Sequence, residues 1–272
     1  MSAVQAADRH EVIPAAASGW GILVLAGSSG RIERERADLL ARHGIRAHAI
    51  RWFGGEGQRP VPHEVPLELF VAELERLRTS CDRIAILGTS FGAEAALVTA
   101  ALAPVDATIA IAPTWVVWPG LLDGAWSSHW TLAGEPLPWV PFDADWTADA
   151  DPPEYRGLYA DSAARHPAPD AVIPVERIAG ALLLVAGSDD RVWPSADAAD
   201  RIIARRDAAG LETVLVQHPD AGHRVPFPGE PVPTGGARMA RGGTAQADAE
   251  LGEAAFDAVL RLLGAERGRM DG

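Results

Sequence analysis

The chain contains no lysine and no asparagine: all 24 basic residues are arginine. These absences exclude a Schiff-base lysine, a P-loop lysine, a Cys-His-Asn triad and N-linked glycosylation. Codon usage in a genome rich in G and C accounts for both. The single cysteine, Cys81, can form no internal disulfide, which fits a reducing compartment. No apolar run reaches the length of a membrane helix, and Asp8, Arg9, His10 and Glu11 interrupt the N-terminus before a signal peptide could develop. Positive charge is also scarce. With 37 acidic residues the formal charge is −13, a surface that repels nucleic acid and anionic membrane. The expectation is a soluble cytoplasmic protein, and 272 residues suffice for a single domain. Tyrosine is rare at two residues, whereas tryptophan is abundant at nine.

Short, nearly continuous apolar runs alternate with stretches of helical periodicity. Strands are expected at Gly19 to Ala26, Ile45 to Trp52, Arg83 to Leu87, Ala107 to Ile111, Ala181 to Ala186 and Glu212 to Val216. Helices are expected at about Arg31 to Arg42, Pro66 to Arg78, Ser90 to Leu102, Ala196 to Arg206 and Ala245 to Leu263. Strands buried on both faces read as solid apolar runs, and their alternation with helices implies right-handed crossovers. The expected architecture is an α/β fold with a doubly wound, mostly parallel sheet. The rhythm breaks from Pro113 to about Pro174, a length that marks a cap or lid. That stretch holds six of the nine tryptophans (Trp115, Trp118, Trp126, Trp130, Trp139 and Trp146), and nine carboxylates against two arginines. A second irregular stretch runs from Arg224 to Gly243. Asp143, Asp145, Asp149 and Asp151 suggest calcium only superficially, because the loop glycine of a calcium site is missing. No metal or cofactor is expected.

Gly88-Thr89-Ser90-Phe91-Gly92 is a G-x-S-x-G pattern between an apolar strand and an Ala-rich helix. Glycines two residues either side of a serine allow a sharp strand-to-helix turn that lifts Oγ above the sheet. A hydroxyl needs a base and an orienting acid, and these should follow at later strand ends in the order acid, histidine. Asp189 and Asp190 compete for the acid; Gly187, Asp190 and Pro194 fit G-x-x-D-x-x-x-P, so Asp190 is chosen and Asp189 becomes a turn or capping residue. His223 is chosen as base, on the argument that Gly222 lets its loop swing, with His218 the structural rival. The other six histidines (His10, His43, His48, His63, His129 and His166) are expected on the surface or in the insertion. The oxyanion donors should be the backbone N–H of Phe91 and of Ser28, with Ser29 the alternative to Ser28. Trp115, Trp118, Trp193 and Phe53 are the expected acyl-pocket residues.

These features resemble the α/β-hydrolase superfamily and, more narrowly, the C-terminal catalytic domain of the acyl-CoA thioesterase and bile acid-CoA:amino acid N-acyltransferase family. Matching segments are Val24 to Gly30, Arg51 to Gly54, Pro66 to Phe70, Gly88 to Glu94, Val117-Trp118 and Leu137 to Phe142. Further ones are Ile173 to Ile178, Gly187 to Ser195, Ala221 to His223 and Gly242 to Thr244. The resemblance implies the same Ser90, Asp190 and His223 triad and a dienelactone hydrolase-like fold. Members of the family commonly carry an N-terminal β-sandwich, whereas here about eighteen residues precede the first expected strand, so what the sandwich does for substrate binding is expected to be absent or supplied otherwise. Transferases of the family use cysteine where this chain has serine, so hydrolysis of an acyl thioester or ester is expected. The substrate would be an acyl-CoA, an acyl carrier protein thioester or a plain ester. Three alternatives stand beside it. An acyltransferase or cyclase would yield amide or ester with added acceptor, a carboxylesterase or lactonase would prefer oxygen esters, and a binding module would leave Ser90 unreactive.

Overall fold

Strands form where Val, Ile, Leu and Ala run uninterrupted, because a strand covered by helices on both faces has no solvent side for polar residues. The computed structural model describes residues 4–231 and 237–265. In chain order its elements are β1 (Arg9–Val12), β2 (Trp20–Leu25), α1 (Arg34–Arg42), β3 (Arg46–Ile50), β4 (Val65–Pro66) and α2 (Glu68–Arg78). Next come β5 (Arg83–Thr89), α3 (Phe91–Leu102), β6 (Ala107–Ile111), β7 (Pro119–Leu122), β8 (Ala125–Ser128), β9 (Trp130–Leu132) and β10 (Glu135–Pro136). The last are α4 (Arg156–Arg165), β11 (Ala181–Gly187), α5 (Ser195–Ala208), β12 (Val214–His218) and α6 (Ala245–Leu262).

Seven strands make one sheet in the order β1-β3-β2-β5-β6-β11-β12, parallel except for β1. The expected doubly wound α/β sheet is therefore present. Alternate side chains of each inner strand enter opposite cores. Leu23, Leu25, Ile84 and Ile86 pack with α2, α3 and α5, whereas Ile22, Val24, Ala85 and Leu87 pack with α1 and α6. The order reverses between β2 and β5, which opens a crevice at their C-terminal ends. One strand of this sheet was not expected. β1 precedes the first apolar run and pairs antiparallel with β3, Arg9 opposite Ile50 and Val12 opposite Ala47. It is held by charge: Arg9 pairs with Glu73, and Glu11 with Arg46.

The stretch from 113 to 174 lies outside the large sheet and is more regular than its sequence suggests. β7 and β8 form a hairpin across Asp123 (φ 51°) and Gly124 (φ 79°), and β9 and β10 another across Ala133 (φ 52°) and Gly134 (φ 85°). Both are two-residue loops with positive φ at each position, the geometry that matches strand twist. β4, from outside the insertion, pairs parallel with β9 and ties the insertion to the main body. Among the described residues no helix is long and apolar enough to cross a membrane.

Candidate active site

The turn after β5 is forced by packing. Ser90 adopts φ 57° and ψ −121°, a conformation rare for a side-chain-bearing residue. A Cβ at Gly88 would lie 1.9 Å from the Gly92 carbonyl oxygen, and one at Gly92 would lie 2.5 Å from that of Ala26. Only glycine fits either place, so strand, turn and helix close tightly and Ser90 is left at the crest, 7% exposed. Gly27 approaches from β2: a Cβ there would be 3.0 Å from that of Ser90. This brings the Ala26 to Gly30 turn, with Ser28 at its exposed tip, against the serine. Phe91 opens α3, so its N–H has no acceptor within the helix. Phe53 packs its ring on Gly30 and borders the same turn.

At the other side of the crevice Asp190 is fully buried at the end of β11. Its Oδ1 accepts the N–H groups of Val192 (2.9 Å) and Trp193 (3.3 Å), and its Oδ2 accepts Ser195 Oγ–H (2.7 Å) and His223 Nδ1–H (2.8 Å). A carboxylate accepts at Oδ2, so the imidazole proton lies on Nδ1 and Nε2 is left with its lone pair. Asp189 braces the loop instead, accepting the Gly243 N–H at 2.8 Å and Arg191 Nε–H at 3.0 Å. Burial raises the Asp189 pKa, but the Gly243 N–H and Arg191 outweigh it and the net shift is downward. His218 faces Glu250 and the Asp220 N–H, away from this pair. The reason offered for Gly222 needs correction. A Cβ there would sit 2.3 Å from the Gly242 carbonyl oxygen, and one at Gly187 would meet the carbonyls of Ala221 and Gly222. Gly222 permits close packing of three backbone segments and gives the histidine loop no freedom to swing.

Trp193 joins the two halves. Its ring centroid lies 5.7 Å from that of Phe91 and 5.9 Å from that of His223, while Nε1–H donates to the Ala112 carbonyl. Trp118 is fully buried one layer out, stacked on Phe142 with Nε1–H donating to Thr114. Trp115 is half-buried at the edge of the same cluster, with the Arg201 guanidinium of α5 over its ring. The other tryptophans separate by burial: Trp130 is in the main core, whereas Trp126 is half exposed.

Two arrangements escaped the sequence reading. Glu94, one turn after Ser90, is completely buried and accepts the Trp118 N–H (3.1 Å), Trp130 Nε1–H (2.7 Å) and His129 Nδ1–H (3.2 Å). The His129 ring packs 4.4 Å from that of Phe91. Glu94 thus fastens the insertion to the helix that follows Ser90. Arg36 of α1, ion-paired with Glu230, donates to Thr89 Oγ1 and to the Val225 carbonyl, linking the end of β5 to the loop after His223. The histidine expectations also need revising. His48 and His63 are buried: His48 lies between Glu11 and Glu73, and His63 is enclosed beside Gly120. Burial holds the His48 pKa below its usual value. Among the acidic residues of the insertion, Asp143 pairs with Arg165 and Asp151 with Arg238, and no described group of three side chains could hold a metal.

A mostly parallel seven-stranded sheet with a strained serine turn after its central strand is the α/β-hydrolase fold. Solved structures share it. A putative dienelactone hydrolase from Klebsiella pneumoniae subsp. pneumoniae is 15% identical, with TM-score 0.57 over 94% of this chain and 92% of that one. A probable hydrolytic enzyme from Pseudomonas aeruginosa is 18% identical, with TM-score 0.52 over 94% and 88%. The esterase domain of a Rhodothermus marinus protein is 14% identical, with TM-score 0.51 over 93% and 91%. A comparison with curated proteins finds no match. The chain belongs to the BAAT / Acyl-CoA thioester hydrolase C terminal family, whose sequence model matches residues 70–263. It is accordingly a hydrolase of the esterase and thioesterase kind.

Proposed function

We propose that the protein hydrolyses an acyl thioester through a Ser90–His223–Asp190 triad and a covalent acyl-enzyme, with residues 113–174 as a cap over the acyl group. The observation that carries this reading is the 2.8 Å contact between His223 Nδ1 and Asp190 Oδ2 at the sheet edge where Ser90 stands. His223 Nε2 takes the Ser90 hydroxyl proton as Oγ attacks the acyl carbonyl. The N–H groups of Phe91 and Ser28 receive the oxyanion, each contributing roughly 3 kcal/mol of barrier lowering. The C–S bond breaks, His223 returns its proton to the leaving sulfur, and then activates water against the acyl-enzyme. Water is the expected acceptor because a serine ester hydrolyses readily.

A thioester with a phosphate-bearing leaving group, as in coenzyme A or phosphopantetheine, fits better than a plain ester despite the negative net charge. Three arginines flank the site: Arg31 follows the oxyanion turn, Arg224 follows His223, and the Arg241 carbonyl accepts the His223 N–H at 2.9 Å. Burial lowers the Arg224 pKa, and the guanidinium groups of Arg241 and Arg31 lower it further, so the three share one electrostatic neighbourhood. Arg31 is paired with Glu33 and the Arg241 guanidinium donates to the carbonyls of Met239 and Ala237, so these charges are held in place near the loop that carries His223, where they favour a phosphate. Arg241→Ala should raise KM about tenfold for a coenzyme A thioester and leave the N-acetylcysteamine thioester of the same acyl group unchanged. Equal effects on both would remove the phosphate from the reading. A fluorophosphonate probe tests the nucleophile itself: it should label wild type and not Ser90→Ala, and equal labelling of the two would overturn the mechanism.

A further inference from the structure

Tyr159 is one of two tyrosines in the chain and belongs to the aromatic cluster of the insertion rather than to its surface. It projects from α4 with only 8% exposure. Its ring stands edge-on to Trp118 (4.8 Å between centroids), Phe142 (5.2 Å) and Trp193 (5.5 Å). Trp193 in turn touches the rings of His223 and Phe91, so one ring separates Tyr159 from the catalytic histidine and from the residue after Ser90. The buried indoles around it each have an acceptor: Trp118 on Thr114, Trp130 on Glu94, Trp193 on Ala112. The Tyr159 hydroxyl bonds to none of the described residues, yet it is not among the polar atoms that are both sealed from solvent and partnerless. The hydroxyl therefore keeps access to solvent at the margin of the aromatic cluster, where a polar group of a ligand can replace water as its partner, whereas an apolar group would strip the water and leave it unpaired.

We propose that Tyr159 is a specificity-determining residue whose phenol O–H donates to a neutral oxygen on the acyl portion of the substrate. This rests on the acyl-enzyme reading above and narrows its substrate class. The substrate is an acyl thioester carrying a keto, ether or hydroxyl oxygen within an aromatic-walled pocket, in preference to a plain alkanoyl chain. Burial raises the Tyr159 pKa well above the usual phenol range, and the carboxylates of Glu94 and Asp190 raise it further. The group therefore stays protonated as a donor, and the same two carboxylates disfavour an anionic acyl group. An alkanoyl chain would desolvate the hydroxyl without replacing its hydrogen bond, the asymmetry by which polar pockets discriminate.

The test uses pairs of thioesters of equal chain length, one plain and one carrying a single keto oxygen at successive positions along the chain, with wild type and Tyr159→Phe. Wild type should show higher kcat/KM for the oxygenated member at one or two positions. Tyr159→Phe keeps the ring, and it should lower that preference about tenfold while the plain substrate stays within about twofold. A wild-type preference for the plain chain at every position, or an unchanged ratio in Tyr159→Phe, would overturn the assignment. Fluorophosphonate labelling of both proteins separates the two levels. Absent labelling of wild type would refute the serine mechanism, whereas normal labelling with an unchanged ratio refutes only the role of Tyr159. Labelling of Tyr159→Phe at the wild-type rate also shows that the variant is folded.

Discussion

Glu94 makes the sharpest stability prediction, because its carboxylate is the sole partner of several buried donors. In Glu94→Ala the N–H of Trp118, Nε1–H of Trp130 and Nδ1–H of His129 lose their acceptor in a region closed to water. Each stranded donor costs about 1–3 kcal/mol, roughly 3–9 kcal/mol together. Removing the carboxylate relieves its own burial penalty, so the net loss should be about 3–5 kcal/mol, the range for breaking a buried charged pair. For a chain of this size that corresponds to a fall in Tm of roughly 6–10 °C. Glu94→Gln retains an oxygen for the two tryptophan donors, and His129 can accept from the amide after a tautomer change. It should lose about 1–2 kcal/mol. Urea unfolding followed by near-ultraviolet circular dichroism measures both, since the cluster is rich in aromatic rings. The reasoning is refuted if Glu94→Ala lies within about 1 kcal/mol of wild type, or if the two variants are equally destabilised.

Two further perturbations act elsewhere. Asp190→Asn removes the charge that holds the His223 tautomer, so kcat should fall about 10⁴-fold with the fold retained; a fall of less than tenfold would place the acid elsewhere. Glu11 is held down to a pKa of about 2, from a usual 4.5, chiefly by its hydrogen bond from Arg46 against the opposing effect of burial. A carboxyl depressed in the folded state stabilises above the unfolded value and loses that contribution as pH falls through the folded one. The stability gap between wild type and Glu11→Gln should be constant above about pH 5 and close between pH 4.5 and 2; a gap independent of pH would contradict the assignment.

The sequence made the chemistry of the site legible because that chemistry is local. A strained serine turn needs glycine at fixed offsets: a Cβ at Gly88 would lie 1.9 Å from the Gly92 carbonyl oxygen within the motif itself, and one at Gly92 would lie 2.5 Å from the Ala26 carbonyl oxygen at the end of the neighbouring strand. Asp190 was set apart from Asp189 by the common hydrolase pattern G-x-x-D-x-x-x-P, and in the structure its carboxylate takes four hydrogen bonds, from residues 192, 193, 195 and 223. Glu94 was hidden for the opposite reason. Its partners lie 24 to 36 residues away, and a glutamate on an Ala-rich helix reads as solvated unless those partners are known. β1 was missed because four residues rich in charge carry no apolar run, and the charges are what secure it. The hairpins of the insertion had a readable signal in Asp123-Gly124, but strands of two to four residues leave no period around it. Gly222 shows a subtler failure: its position was right and its purpose was packing.

The central claim is that Ser90 carries the acyl group during turnover. Rapid acid quench of wild type with a coenzyme A thioester, followed by peptide mass spectrometry, should show the acyl mass on the peptide containing Ser90. With Ser90→Ala both the adduct and nearly all turnover should vanish, a loss on the order of a millionfold. Turnover retained in Ser90→Ala, or an adduct on another residue, would contradict the account.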